Sequence, residues 1–534
     1  MRPRPLPEGF EPYVWARVVD EVAKAHGIPV AQVLRFDANV PALPGVPAIP
    51  LGESFAALND YPEGTYRELR EAAAAYAGVE PDEIVVGAGA DDLIGLVART
   101  FLGAGRRAAV QLPTYPLYAI ASGIEGADVV SPALEANALC GADVVWICNP
   151  ANPTGELHDP GRIAALAREL PDAVVAVDEA YFEYAGETVV PFVRELPNLL
   201  AIRSLSKAFG FAALRVGYIV ASRGVAAELT RRRAPAPIAA PAARIAAAAL
   251  RDPVLDVEWE VAERERMREA LVAVGFDCPR SFANFVYVPV EDGPALAGRL
   301  EAEGLVVRCY PRAIRITPRL PAENDRLLAA LGVRAAASAA RSALVVRTTA
   351  ETALRVSLSL DGRRRARVRT GVGFLDHLLA QVAFHGGLDL DVVAGGDVDV
   401  DEHHTVEDVL AGVGMALREA LGDRHGLARY GAATVPMDEA RATAAVDLVR
   451  RPHAEIRLAF GGERVGGLAL TLLPHALERF AIEAGCTVHV EAAGDDDHHV
   501  AEAAFKALGR ALAQACSPDG SGSATGPGST KGAL

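Results

Sequence analysis

One arrangement, written twice, constrains this chain more than anything else in it. "DEHHTVEDVL" at 401–410 and "DDDHHVAEAA" at 495–504 each place two adjacent histidines at a helical start, with a glutamate one turn on. On a helix His403 and Glu407 stand i,i+4 and His404 and Glu407 stand i,i+3, so the three share a face. His498, His499 and Glu502 repeat the pattern, and a helix-borne histidine precedes each copy, His377 by 26 residues and His475 by 23. For a single copy, a polar helix start capped by Asp401 or Asp497 is the plainer explanation. Two copies with the same preceding histidine argue for duplicated βα units that each supply the same ligand types. Imidazole and carboxylate donors suit a borderline or hard divalent ion such as manganese, and no cysteine competes for a softer one.

The histidines also divide the chain. Of twelve, only His26 and His158 fall in the first 370 residues. The seam reads "AAASAARSALVV" at 335–346, a small-residue run between a helical pattern and a new strand pattern. Residues 1–335 are therefore expected to form one domain, 336–342 a linker and 343–534 a second domain ending in a flexible tail, as 534 residues exceed one ordinary core. A net charge of −16 leaves no basic face for nucleic acid. Six scattered cysteines without a CxxC pair fit a reducing compartment, and the N-terminus has no apolar run of a signal peptide. No run of 18 apolar residues exists to span a membrane, so the expected location is cytoplasmic.

Before the seam, short apolar runs alternate with helical stretches: "DVVWICNP", "DAVVAVDEAY", "NLLAIRSLS" and "RVGYIVAS". Buried strands between helices indicate an α/β domain with a largely parallel sheet. A long helix over 253–274 then leads to a smaller α+β unit. After the seam, "ALRVSLSLDGRRRARVRTG" suggests two paired strands, followed by helix, strand and helix, and the helix–strand–helix order recurs.

The first half carries an ordered set of polar groups. "SLSKAFGFAALRVG" puts Lys207 just after a strand, between Ser204, Ser206 and Arg215. A lysine placed this way can hold an aldehyde as a Schiff base, and hydroxyls with an arginine suit a phosphate. Upstream, Asn152 lies in "NPANPTG", and Asp178 and Tyr181 lie in "VDEAY". A strand-end carboxylate can keep a pyridine nitrogen protonated, and the other two can donate to a ring oxygen.

This set resembles the fold-type I aminotransferases that use pyridoxal phosphate, and within them histidinol-phosphate aminotransferase, over residues 8–335. The resemblance implies that Lys207 is the Schiff-base lysine and proton-transfer base, that Asp178 pairs with the pyridine nitrogen, and that Asn152 and Tyr181 contact the ring oxygen. Tyr115 in "PTYPLY" would stack on the ring. Ala90 and Asp91 in the turn "GAGADD", with Ser204, Ser206 and Arg215, would bind the cofactor phosphate. Tyr61 in "YPEG" would reach the cofactor of a neighbouring subunit, and Arg315 in "AIRIT" would bind the substrate anion. The turn lacks the family's usual serine before its acidic pair, and Pro318 replaces a usual glycine.

The second half is similar to imidazoleglycerol-phosphate dehydratase, with "TGVGFLDHLLAQ", "DEHHTVEDV", "VPMDEA", "RRPH", "DDDHHVAEAAFKALGRAL" and "STKG" in family order over 342–534. The resemblance implies two manganese ions held by His377, His403, His404, Glu407, His475, His498, His499 and Glu502, in sites assembled across subunit boundaries. Glu351 in "RTTAET" would be the acid/base. Arg429, Arg451, Lys506, Ser529 and Lys531 would bind the substrate phosphate, and Gln381 would lie near substrate. The two family reactions are consecutive in histidine biosynthesis: imidazoleglycerol phosphate gives imidazole acetol phosphate, which accepts an amino group from glutamate. The dehydratases form octahedral shells of twenty-four subunits and the aminotransferases two-fold dimers, and both symmetries can coexist in one assembly. The rival expectation is a C-terminal half that is only a metal-bound assembly scaffold beside an aromatic-type aminotransferase.

Overall fold

The computed structural model describes residues 17–41, 59–253, 255, 257–333, 341–349, 351–396 and 401–519. The chain divides into two compact units, Met1–Ala335 and Ala336–Leu534. Most of the expected linker, and the tail that carries Ser529 and Lys531, lie outside the described residues.

The first unit is built on a seven-stranded sheet. In spatial order its strands are Ile84–Gly87, Gly217–Ala221, Leu199–Ser204, Val174–Asp178, Val144–Cys148, Arg107–Val110 and Asp128–Val130. All pairings are parallel except those of Gly217–Ala221, which runs antiparallel to both neighbours. The strands read as continuous apolar runs because both faces are covered: Val145, Ile147, Val175 and Val177 enter one core, while Val144, Trp146 and Ala176 enter the other. Parallel strands end on one edge, and there the sequence turns polar. Asp178 and Ser204 are the last residues of their strands, with Lys207 three residues beyond.

A smaller α+β part has an antiparallel sheet in the order Arg308–Tyr310, Ala313–Ile316, Val286–Pro289. The long helix there spans Val257–Ala273, starting four residues later than expected. Leu34–Arg35 pairs in parallel with Leu305–Val306. That pairing brings the segment after it, with Asp37 and Asn39, beside Arg315, whose Nη2 donates to Asp37 O at 2.9 Å.

The second unit is a repeat of larger size than the helix starts indicated. Repeat one runs through strands Ser342–Thr348, Thr352–Ser359 and Ala366–Arg369, helix Gly373–Gly386, strand Asp389–Gly396 and helix His403–Leu421. Repeat two follows the same order through Tyr430–Met437, Ala440–Asp447, His453–Ala459, Leu472–Ala484, Thr487–Ala493 and Asp497–Ala515. Each makes a four-stranded sheet of one topology, in which the last strand pairs antiparallel with the second and parallel with the third.

This corrects the expectation that the strands of "ALRVSLSLDGRRRARVRTG" pair with one another: both flank Asp389–Gly396 instead. Alternation identifies a strand but not its neighbour. Here Asp389 Oδ1 accepts from the N–H groups of Arg363 (2.7 Å) and Arg365 (3.0 Å), so the turn is tied to the start of the central strand and the chain emerges on its far side. Repeat two also carries an extra hairpin, Arg464–Val465 with Leu468–Ala469.

Helices of opposite repeats pack together over a shared core: Gly373–Gly386 on Asp497–Ala515, and His403–Leu421 on Leu472–Ala484. Two equivalent glycines permit it, each eleven residues past the first histidine of its pair. A Cβ on Gly414 would lie 2.5 Å from Phe480 O, and one on Gly509 would lie 2.7 Å from Val382 O. Gly414→Ala and Gly509→Ala gain up to about 1 kcal/mol of helix propensity. Overpacking costs about 1–3 kcal/mol, so the net effect is destabilising. Calorimetry is expected to show a lower unfolding midpoint for both, while Gly373→Ala, where a Cβ meets nothing within 4 Å, leaves it level or raised.

Candidate active sites

The carboxyl edge of the seven-stranded sheet opens into a cleft of about 790 Å³ lined by Lys207, Asp178, Tyr181, Tyr115, Asn152, Ser204, Ser206, Arg215, Ala90 and Asp91. Thus ten of the eleven residues expected at a cofactor meet in one place. Tyr61 does not; it is 93% exposed and absent from the cleft wall.

Burial sets the chemistry of this cleft. Lys207 is desolvated and faces the charge of Arg315, so its ammonium is disfavoured and its pKa falls to about 8. Burial likewise lifts the Asp178 carboxyl to about 6, against the hydrogen bonds from the Tyr118 hydroxyl (2.6 Å to Oδ2) and Ala180 N–H (3.0 Å to Oδ1). The Tyr181 phenol is pushed up, chiefly by burial, so it stays a donor; its hydroxyl oxygen accepts from Asn39 Nδ2 at 2.8 Å.

Helix Gly89–Phe101 begins beside Arg215 with no side-chain cap, leaving its first N–H groups for another partner. A Cβ on Gly89, at φ +80°, would meet Arg215 Nη2 at 2.8 Å, so glycine is needed for this approach. Arg215 Nη2 pairs with Asp91 Oδ2 at 3.1 Å, and Tyr115 Oη donates to Asp91 Oδ1 at 3.0 Å. These groups fit pyridoxal phosphate: an aldehyde-binding amine, a buried carboxyl partner for the ring nitrogen, and Arg215 with two hydroxyls and uncapped N–H groups for the phosphate.

Sequence reading missed several of the cleft's groups. Tyr118, fully buried and stacked on Trp146, holds Asp178. Asn39 clamps Tyr181, and Arg35, Arg308 and Tyr310 join Arg315 along the wall. Arg315 donates to Asn152 Oδ1, while its Nε is buried without a hydrogen-bond partner. The second tyrosine of "PTYPLY" was the available signal for Tyr118; nothing local marked the arginines.

In the second unit the donors gather in two sets of three, each crossing the repeats. His377 joins His498 and Glu502, and His475 joins His403 and Glu407, all ligand atoms of a set lying within 4.8 Å of one another. The helix packing dictates this exchange, because each preceding helix lies on the His-His helix of the other repeat. His377 Nε2 is buried and 3.2 Å from Glu502 Oε2 without hydrogen-bond geometry, as expected of atoms that share a cation. The Glu502 carboxyl is raised by burial but drawn down further by Lys506 (2.8 Å) and His377, so its pKa is lowered. Both donor sets fit a divalent ion by type and spacing.

His404 and His499, one residue on, point elsewhere. His404 Nε2 lies 3.7 Å from Glu351, and His499 Nδ1 lies 3.1 Å from Glu439. At the helix starts Asp401 caps His403 N, as expected, but in the second copy Asp496 rather than Asp497 caps, accepting from His498 N at 2.8 Å. Asp497 is drawn away by the N–H groups of Gly461 (2.8 Å) and Gly462 (2.7 Å) at the extra hairpin. Gln381 sits one turn after His377 on the same helix. Arg429 forms a two-pronged pair with Asp447 (2.7 and 3.1 Å), and Arg451 is exposed.

Comparison with known proteins follows this division. The family model Aminotransferase class I and II matches residues 33–331, and the model Imidazoleglycerol-phosphate dehydratase matches 370–512. The chain belongs to both families. Its dehydratase unit is 49% identical over 196 residues to the imidazoleglycerol-phosphate dehydratase of Magnetococcus marinus, covering 36% of this chain and 98% of that one. It is 47% identical over 200 residues to the histidine biosynthesis bifunctional protein of Stenotrophomonas maltophilia, covering 38% of this chain but only 55% of that relative. The aminotransferase unit resembles the crystal structure of histidinol-phosphate aminotransferase from Sinorhizobium meliloti in complex with pyridoxal-5'-phosphate, with TM-score 0.55 and 26% identity over 61% of this chain and 96% of that one. The pair is a fusion of an aminotransferase with a dehydratase of histidine biosynthesis. No helix among the described residues is long and apolar enough to cross a membrane.

A lysine amine whose pKa is near 8 is reactive where ordinary lysines are charged. In cofactor-free protein, labelling of Lys207 by an amine reagent, followed by mass spectrometry, should rise with a midpoint near pH 8. Tyr118→Phe removes a hydrogen bond to a carboxylate, a loss of about 1.5–3 kcal/mol. Transaminase kcat should fall roughly tenfold or more, with dehydratase turnover unchanged as the internal control.

Proposed function

We propose that the C-terminal unit dehydrates imidazoleglycerol phosphate to imidazole acetol phosphate, and that the N-terminal unit converts this product, with glutamate, to L-histidinol phosphate. The observation that carries the reading is the presence, in one chain, of two cross-repeat donor sets and a buried lysine–aspartate cleft that has Arg35, Arg308 and Arg315 on its wall besides Arg215. The arginines favour a phosphorylated acceptor over an uncharged aromatic one.

In the aminotransferase cleft, pyridoxal phosphate supplies the electron sink for amino transfer when bound. Lys207 holds it and, once released, Nζ takes the proton from the substrate carbon that bears the amino group. Asp178, steadied by Tyr118, keeps the ring nitrogen protonated, and Asn152 and Tyr181 donate to the ring oxygen. Tyr115 stacks on the ring, while Ala90, Asp91, Ser204, Ser206 and Arg215 hold the phosphate. Arg315 binds the substrate anion, and exposed Tyr61 serves the neighbouring subunit of a dimer.

In the dehydratase, two manganese ions supply Lewis-acid stabilisation of an anionic imidazole ring when bound. The ligands are His377, His498 and Glu502 for one, and His403, Glu407 and His475 for the other. Each set has three donors, so His404 and His499, which lie outside both, are best used by neighbouring subunits. The hydroxyl on the carbon next to the ring departs, and Glu351 removes the proton from the following carbon, giving an enol that tautomerises to the ketone. One water is lost and no electrons are exchanged. Arg429, Arg451, Lys506, Ser529 and Lys531 bind the phosphate, with Gln381 near the substrate. Shared ligands imply a closed homo-oligomer, an octahedral 24-mer with the aminotransferases paired on two-fold axes.

The test supplies purified protein with imidazoleglycerol phosphate, glutamate, pyridoxal phosphate and manganese, and follows products by mass spectrometry. Histidinol phosphate is expected. Lys207→Ala should halt the sequence at imidazole acetol phosphate, and Glu351→Gln should block the first step while sparing the second. Unaltered imidazoleglycerol phosphate, or a preference for phenylpyruvate as acceptor, would overturn the reading. Light scattering should give a mass near twenty-four chains; one or two chains would remove the shared-ligand account.

A further inference from the structure

The duplication extends to a glutamate that the donor sets leave out. In repeat one the first two strands close at Thr348 and Ala353, and Glu351 stands in the turn between them. In repeat two they close at Met437 and Ala440, and Glu439 stands in the same turn, one residue before the second strand as Glu351 is. Each turn glutamate faces the second histidine of its own repeat, but on opposite ring nitrogens. Glu351 Oε2 lies 3.7 Å from His404 Nε2, whereas both Glu439 oxygens lie 3.1–3.2 Å from His499 Nδ1.

The anchoring differs as well. The turn of Glu351 is fastened through its neighbours, Thr352 donating to Asp408 and Arg347 pairing with Asp408 at 2.5 Å, so the Glu351 side chain itself stays 55% exposed. Glu439 is fastened directly, its Oε1 accepting from Asp496 N at 3.0 Å at the start of the helix that bears His499. On the Nε2 side of His499 stands the exposed Asp438, at 3.8 Å.

We infer that Glu439 is the positioning residue of one metal centre: it holds His499 by Nδ1, fixing the tautomer and rotation that present Nε2 to the cation, while its counterpart Glu351 is left for proton transfer. This rests on the manganese reading above. A histidine ligand ordinarily donates its second N–H to a carboxylate, and loss of that partner costs about 10–100-fold in metal affinity. The repeats have thus kept one residue in one turn and turned it to two tasks, decided by which edge of the imidazole it meets.

The test titrates the full-length protein with manganese and reads free ion by electron paramagnetic resonance. Wild type should show two bound ions per chain. Glu439→Ala should weaken one class of site 10–100-fold and leave the other in place. Glu439→Gln should stay within about threefold of wild type, because its amide oxygen can still accept from both Nδ1–H and Asp496 N–H. Glu351→Ala should leave both classes unchanged. Should Glu439→Ala prove unstable, Glu439→Asp, one methylene short, takes its place with the same expected weakening. The inference fails if Glu439→Ala or Glu439→Asp keeps both classes intact, if Glu439→Gln is as weak as Glu439→Ala, or if Glu351→Ala loses manganese equally. Wild-type protein that binds no manganese would remove the metal reading itself, a result distinct from any difference among the variants.

Discussion

The close approach of helices from opposite repeats is the constraint from which the dehydratase unit follows. Close packing lets backbones touch only where side chains are absent, and Gly414 and Gly509 provide that contact at equivalent places. Once Leu472–Ala484 lies on His403–Leu421, and Gly373–Gly386 on Asp497–Ala515, each preceding histidine is delivered to the other repeat's His/Glu pair. Among the described residues, neither repeat alone holds a three-donor set. The extra hairpin reinforces the junction from outside: Glu402 accepts from Arg464 Nη2 (2.6 Å) and Ala469 N (2.9 Å), while Asp497 accepts from Gly461 and Gly462. One loop therefore tethers both helix starts.

In the aminotransferase unit the organising force is desolvation. A parallel sheet covered on both faces has only its strand ends available to polar chemistry, and burial there makes charge expensive. Lys207 and Asp178 move in opposite senses for the same reason, the amine toward its neutral form and the acid toward its protonated one. Tyr118 restrains the second shift. Its hydroxyl donates to Asp178 from a ring locked between Trp146 and Tyr115, so the carboxyl keeps part of its ionised character in a place that disfavours it.

Much of this was readable because the signals were local. The apolar runs ending in "VDEAY" and "SLSK" located the strand ends, and the copied His-His-x-x-Glu located both helix starts. What was not readable depended on partners distant in the chain. Strand neighbours around Asp389–Gly396 were set by the Arg363 and Arg365 N–H bonds, which alternation cannot encode. Asp497 looked like a cap as much as Asp496 does, until Gly461 and Gly462, 36 and 35 residues upstream, claimed it. Arg35 and Arg308 carried no motif, since the pairing of Leu34–Arg35 with Leu305–Val306 is what brings their segments together.

The two donor sets show how a duplication can keep a function while changing its supports. Glu502 Oε1 is held by Lys506 at 2.8 Å, and Glu407 Oε1 by Arg479 at 3.0 Å. Counted from the histidines, these cations are not equivalent: Lys506 corresponds to Ala411 and Arg479 to Gln381. Each nonetheless occupies one carboxylate oxygen and turns the other, Oε2, toward its histidines, at 3.2 Å from both His377 and His498 and at 3.5 and 3.2 Å from His403 and His475. A carboxylate with one oxygen neutralised presents a single directed lone-pair donor rather than a freely rotating pair. The cationic side chain must stand behind the glutamate, but the helix that brings it is open to choice, so the donor sets match while their supports do not.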